Sequence, residues 1–230
     1  MADSGITHGL LHSAILQFIV DNGFGPEADE LAAMLRVTAP EVAEALRALQ
    51  DNHGVVLHPN SVRIWVIHPF SLAPTNFTVR TADKEYWGNC AWCSLGVAAL
   101  LNQDVTITTV FGADRRQVEL HIRDGELVEG DFCVHFPIPM TKAWENVVYT
   151  CSTMLLFESE ADVERWSRQH RIARGDVQPA RNVWNFARVW YGNHLNPLWE
   201  KWTNQQALAI FERFGLTHDV WHIPASEKRF

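Results

Sequence analysis

Two cysteines stand three residues apart in Cys90-Ala91-Trp92-Cys93, immediately before an apolar run that ends near Leu101. That spacing sets both thiols at the mouth of a helix. A helix N-terminus favours negative charge, and the thiolate is the form of cysteine that attacks electrophiles and binds soft metals. Two further cysteines follow, Cys133 in Cys133-Val134-His135 and Cys151. Alternate residues of a strand share a face, so Cys133 and His135 could join Cys90 and Cys93 as a four-ligand zinc site. A thioredoxin-like dithiol lacks its βαβ surroundings here. Against these readings stands the ordinary one, in which a free cysteine is a small buried hydrophobe. His121, His135 and His194 are weaker signals, since a lone histidine is more often a satisfied core or surface residue than a ligand.

Elements must bring these residues together. Leu10, Leu11, Ala14, Ile15, Phe18 and Ile19 recur at helical spacing, and Gly23 and Gly25 end the run. A second helix is expected over about Glu27–Leu35. A third begins at Thr38, where Glu41 completes a capping box, and closes at Asn52 and Gly54. Two β runs, Val55–Leu57 and Val62–Ile67, flank a turn at Pro59-Asn60 and read as a hairpin. Three helices and a hairpin make a winged-helix-like module over residues 1–70. Residues 69–82 read as an extended connector with one short strand, and a helix follows Gly88. Val105–Phe111, Val118–Arg123 and Phe132–Ile138 are expected as antiparallel strands of one sheet, with a short helix over 142–147. Tyr149–Phe157 reads as a strand or buried segment, and 160–170 as an amphipathic helix. Residues 171–230 form a helical, aromatic-rich extension, with helices expected at Asn182–Tyr191 and Thr203–Phe214. The expected fold is therefore α+β, in three parts: 1–70, 71–170 and 171–230.

Composition narrows the function. The chain has 230 residues and a net charge of −8. Residues 1–70 hold three basic side chains (Arg36, Arg47, Arg63) against eight acidic ones, and the third helix carries Glu41, Glu44 and Asp51 beside Arg47. A reader of DNA draws most of its affinity from Lys and Arg on phosphates. The helix-hairpin module is thus expected to dock or support rather than bind nucleic acid, and a transcription regulator is the least favoured reading. The first twenty residues lack the basic, continuously apolar pattern of a signal peptide, and no run approaches the length of a membrane span. The expected compartment is the cytoplasm, where thiols stay reduced.

The segment Tyr86–Leu101, above all Ala91-Trp92-Cys93-Ser94-Leu95, resembles the active-site helix of the organomercurial (alkylmercury) lyases. There a tyrosine-alanine-tryptophan-cysteine run precedes alanine-leucine-aspartate. Cys151-Ser152-Thr153-Met154-Leu155-Leu156-Phe157-Glu158-Ser159, followed by Ala161 to Trp166, is similar to that family's second catalytic cysteine, the apolar strand after it and a tryptophan-bearing helix. The resemblance covers roughly residues 10–170, and the aromatic tail lies beyond it. It implies a thiol pair, Cys93 and Cys151, gripping the mercury of an organomercurial while an acid protonates the leaving carbon. It also implies a winged-helix-like module that does not read DNA.

The family's acid is an aspartate one helical turn beyond the first cysteine, and here that position is Gly96. Glycine can neither donate a proton nor hold a metal through a side chain, so Cys90 is expected to replace or assist the acid. The expected activity is a lyase-like cleavage of a carbon–metal bond, or of a related bond in a small apolar substrate. It needs no resident cofactor, takes the soft metal as substrate or product, and hands it to small-molecule or protein thiols. The alternative is a metal-binding or sensing protein without turnover.

Overall fold

The computed structural model describes residues 5–226, 228 and 229; Asp3 of the acidic count lies outside them, with the rest of 1–4, 227 and 230. The first helix, α1 (His8–Asn22), starts where the Thr7 side chain accepts the Leu10 N–H and stops at Gly23, whose φ of 80° is the left-handed conformation glycine adopts without strain. In α2 (Ala28–Leu35) Glu27 and Glu30 cap each other, and in α3 (Ala39–Asp51) Thr38 and Glu41 make the expected capping box. Leu11, Ile15, Leu31, Val42 and Leu46 turn inward and are almost fully buried.

Strands β1 (Val56–Leu57) and β2 (Ile64–Ile67) pair antiparallel as the expected hairpin. Their sheet does not end there. It continues through β3 (Phe70–Ser71), β4 (Thr78–Arg80), β5 (Glu85–Gly88), β6 (Val105–Val110), β7 (Gln117–Arg123) and β8 (Glu126–Leu127), in the order β1-β2-β3-β5-β4-β6-β7-β8. Every pairing in it is antiparallel. Between β5 and β6 lies α4 (Ala91–Leu101), buried at all ten positions from Ala91 to Leu100. A helix apolar all round must be enclosed on every side, and α7 (Ala180–Tyr191) packs along it. Trp92 of α4 stacks on Phe186 of α7 with centroids 4.7 Å apart.

A second, three-stranded antiparallel sheet sets β9 (Cys133–Phe136) between β10 (Leu156–Phe157) and β11 (Asp176–Pro179). This departs from the single sheet expected for Phe132–Ile138. The physical reason is burial on both faces: Val134, His135 and Phe136 are all fully buried, as a central strand requires, and the main sheet already ends at β8. Gly112 N–H, just beyond the end of β6, donates to Leu156 O of β10 at 2.8 Å and ties the two sheets together. The segment around Cys151 is also helical rather than extended, as α5 (Val147–Thr153). Its β-branched residues favour a strand, but the Asn146 side chain accepts the Tyr149 N–H at 2.9 Å and nucleates a helix. The Thr150 hydroxyl donates to Ala143 O and the Thr153 hydroxyl to Thr150 O, which helps hold it. The short helix expected at 142–147 is replaced by a 3₁₀ turn at Met140–Lys142.

Beyond β10, α6 (Glu160–His170) and α8 (Asn204–Arg213) form close to where expected. The architecture is α+β, and one apolar cluster runs from Leu11 to Ile223.

Candidate active site

Cys90 is the N-cap of α4, and its sulfur accepts the Cys93 N–H at 3.3 Å. Cys93 follows in the first turn and is 1% exposed. The end of α5 is fastened to the same helix mouth, because Ala91 N–H donates to Met154 O at 3.0 Å. That contact carries Cys151, one turn earlier in α5, to the sulfurs of α4. Between β2 and β3 the chain adds His68. The Cys93 and Cys151 sulfurs and a His68 ring nitrogen all lie within 4.8 Å of one another, which among the described residues is the one such grouping of His, Cys, Asp and Glu donors. Two sulfurs bridged by one metal at thiolate bond lengths of about 2.3 Å would span at most about 4.6 Å, close to the upper bound on this separation.

Protonation of the three thiols is interdependent. Burial opposes a charge on Cys90, but hydrogen bonds from the Cys151 and Cys93 thiols and from the Cys93 N–H outweigh it and draw its pKa well below the ordinary thiol range. The helix N-terminus acts in the same direction. Burial holds Cys93 protonated. Cys151 is held protonated by its hydrogen bonds to Cys90 and Cys93, and by burial. Of the three sulfurs, Cys90 is thus the easiest to ionise. His68 Nε2 lies 3.7 Å from the Cys151 sulfur and 3.3 Å from Asn89 Nδ2. Asn89 Nδ2 can only donate there, so Nε2 is the acceptor of that bond and sits beside the Cys151 sulfur. Burial lowers the His68 pKa to about 4, leaving a neutral ring at pH 7.

Gly96 is filled from outside the helix. A Cβ at this position would come within 2.6 Å of Tyr191 Cε2 and 2.9 Å of Pro69 Cβ. The phenol therefore occupies the room a side chain would need, and its hydroxyl lies 3.7 Å from the Cys93 sulfur. Burial, followed by the neighbouring thiols, raises the Tyr191 pKa well above its usual value, so it remains a neutral hydroxyl.

These groups open on a cavity of about 80 Å³ lined by Cys90, Cys93, Cys151 and Tyr191 together with His12, Trp144, Trp199 and Lys201. A buried water needs about 10–15 Å³ by this measure, so the space suits a small organic group. His12 comes from α1 and stacks on Trp199 at 4.0 Å; the N-terminal helices thus wall the site. Cys133 and His135 are elsewhere. They sit on β9 of the small sheet, where His135 Nε2 donates to Arg174 O at 2.7 Å and its ring meets Phe157 and Trp166 edge-on. The four-ligand zinc set is not assembled. His121 pairs with Glu129 on the main sheet, away from the thiols.

The alkylmercury lyase family model matches residues 70–192. The chain belongs to that family. The match reaches through α7, so Tyr191 lies inside the alkylmercury lyase region rather than in an unrelated tail, as the residues alone had suggested. Membership places the chain among the organomercurial lyases as an enzyme class. The fold is that of the crystal structure of the mercury-bound form of MerB2, which is similar with a TM-score of 0.63 at 18% identity, over 82% of this chain and 94% of that one. None of the curated proteins matches the chain. Among the described residues, no helix of this alkylmercury lyase family member is long and apolar enough to cross a membrane.

His68, Tyr191, Lys201 and Trp144 escaped sequence reasoning. Nothing local marks them: Tyr191 meets Cys93 across 98 positions of sequence and His68 meets Cys151 across 83.

Proposed function

We propose that the protein cleaves the carbon–mercury bond of a small organomercurial, with Cys93 and Cys151 gripping the metal and Cys90 managing the proton. The observation that carries this reading is the convergence of the Cys93 and Cys151 sulfurs within 4.8 Å at the wall of a cavity. Hg(II) is soft and prefers thiolates, and two of them raise electron density on the metal and weaken its bond to carbon.

The step balances with the three sulfurs alone. The organomercury cation meets one thiolate and two thiols. As the Cys93 and Cys151 sulfurs bond to mercury they release two protons. One passes through Cys90 to the carbon as the carbon–mercury electron pair leaves the metal, and the other then neutralises Cys90. The products are the hydrocarbon, mercury held by two thiolates and a Cys90 thiol, with no net charge lost or gained. Cys90 is better suited than Tyr191 to relay the proton. The phenol has a raised pKa, and spending its proton would leave a second buried anion beside the sulfurs. Tyr191 shares a hydrogen bond with Cys93 and shapes the wall. Free thiols then remove the mercury by ligand exchange.

Benzene release from phenylmercury, in the presence of excess small-molecule thiol, tests the proposal. Wild type should release benzene, and Cys93→Ser and Cys151→Ser should abolish release. A wild type that takes up mercury stoichiometrically and yields no benzene would replace catalysis by metal holding.

A further inference from the structure

We propose that the end of the cavity around Lys201 binds an anionic group, so that the organic part of the substrate carries a carboxylate or a similar monoanion. This rests on the lyase reading for the bond that is broken, but not for the anion itself.

The charge pattern carries the argument. The chain is acidic overall, yet no Asp or Glu is among the residues lining the cavity. The wall instead holds Lys201 and four imidazoles, His12, His53, His68 and His194. Among the described residues Lys201 makes no ion pair. Its ammonium donates to His53 O at 3.0 Å and lies 4.5 Å from the centroid of the Trp144 ring. Those contacts solvate a cation without neutralising it. Neutral donors cluster nearby: the indole N–H groups of Trp199 and Trp202 are buried without an acceptor. Nδ1 of His12 and both ring nitrogens of His194 also lack a well-formed hydrogen bond, although backbone carbonyls approach both rings. Buried donors that lack acceptors are costly and are rarely left so. An oxyanion seated against Lys201 would give the ammonium the counter-charge that its present partners do not supply.

Geometry joins this end to the chemistry. The Trp144 ring carries Lys201 on its face and meets the His68 ring edge-on at 5.2 Å, and His68 is 3.7 Å from the Cys151 sulfur. The ammonium and the sulfurs are therefore linked through the Trp144 and His68 rings, both of which line the cavity. Burial also weakens the ammonium's hold on its proton, moving the Lys201 pKa to about 7, as expected for a cation awaiting its counter-ion.

The test uses metal-free probes first. Titration of the full chain with benzoate, acetate and the neutral benzamide, read by calorimetry and tryptophan fluorescence, should show the anions binding at least about tenfold more tightly than benzamide. Losing a charged partner from such a pair typically costs more than that factor, so Lys201→Met should remove the preference and Lys201→Arg should restore it. The second arm compares kcat/KM for 4-carboxyphenylmercury and phenylmercury, where the carboxylate should be favoured at least about tenfold in wild type and not in Lys201→Met. Equal binding of benzoate and benzamide by wild type would overturn the inference without any variant. Anion binding that depends on Lys201, in a protein that releases no hydrocarbon, would keep the anion site and remove the lyase reading. Benzene release with no preference for the carboxylate would do the reverse.

Discussion

The packing of Tyr191 against Gly96 makes a prediction that separates a missing acid from a rebuilt site. If loss of the family's aspartate were the only difference here, Gly96→Asp should raise activity. The structure leaves no room for it. Even a methyl group at 96 would lie 2.6 Å from Tyr191 Cε2 and 2.9 Å from Pro69 Cβ, in a helix buried all round. Overpacking of this kind costs roughly 1–3 kcal/mol, so Gly96→Ala should lower Tm by about 2–12 °C in a chain of this size. Gly96→Asp adds an unpaired buried carboxylate, which costs about 3–5 kcal/mol more, and Gly96 does not line the cavity. No gain in benzene release is expected from it. Tyr191→Ala should by itself cost about 3–5 kcal/mol, as for other large buried aromatics. The double variant Gly96→Ala with Tyr191→Ala should be less damaged than the two single losses together by about 1–3 kcal/mol, because the methyl then enters space the ring has left. Urea unfolding of the four proteins, followed by circular dichroism, measures the cycle. Strict additivity, or a Gly96→Ala protein as stable as wild type, would refute the packing argument; a rise in turnover on Gly96→Asp would refute the claim that the site has been rebuilt around Tyr191.

Other consequences follow from the same geometry. Cys90→Ser should retain mercury binding but slow benzene release by about a hundredfold or more, the usual scale for a positioned proton-transfer group; an unchanged single-turnover rate would move the proton to another donor. Tyr191→Phe keeps the ring against Gly96 and removes one hydrogen bond to Cys93, so Tm should hold while the rate falls by about tenfold or less, a net loss of about 1 kcal/mol. Stability should fall on acidification. Burial depresses His68 to about 4 and His194 to about 3, so below pH 6.5 the unfolded chain takes up protons that the folded chain refuses. Stability contributed by these neutral rings is complete above pH 6.5 and drains away toward pH 3–4. Urea midpoints measured from pH 8 to pH 4 check this, and a flat profile across that range would contradict it.

Much of the fold was legible in local chemistry. Thr38 and Glu41 announce α3, Gly23 stops α1, and the apolar run after Cys93 forms a helix enclosed on every side. Of the two readings of Tyr149–Phe157, burial held for most of it and a strand formed only at Leu156–Phe157: Val147, Val148 and Thr150 favour a strand in isolation, whereas the Asn146 cap and the bond from Ala91 to Met154 draw the part around Cys151 into a helix at the mouth of α4. The strand of Cys133 and His135 was legible, but not its sheet, because pairing partners are a tertiary choice. The Cys93–Cys151 pairing came from resemblance alone, since no spacing rule joins thiols so far apart. Tyr191 was invisible in its role: a glycine in a helix reads as a loss until the ring that fills its place is seen.

The central claim is that thiols from two helices hold one mercury atom between them. X-ray absorption at the mercury edge, on protein loaded with one equivalent of Hg(II) and freed of excess thiol, tests it most directly. Two sulfur neighbours in wild type, reduced to one by Cys151→Ser with Cys90 intact, are the predicted result. A single sulfur in wild type, or a coordination sphere unchanged by Cys151→Ser, would contradict the account.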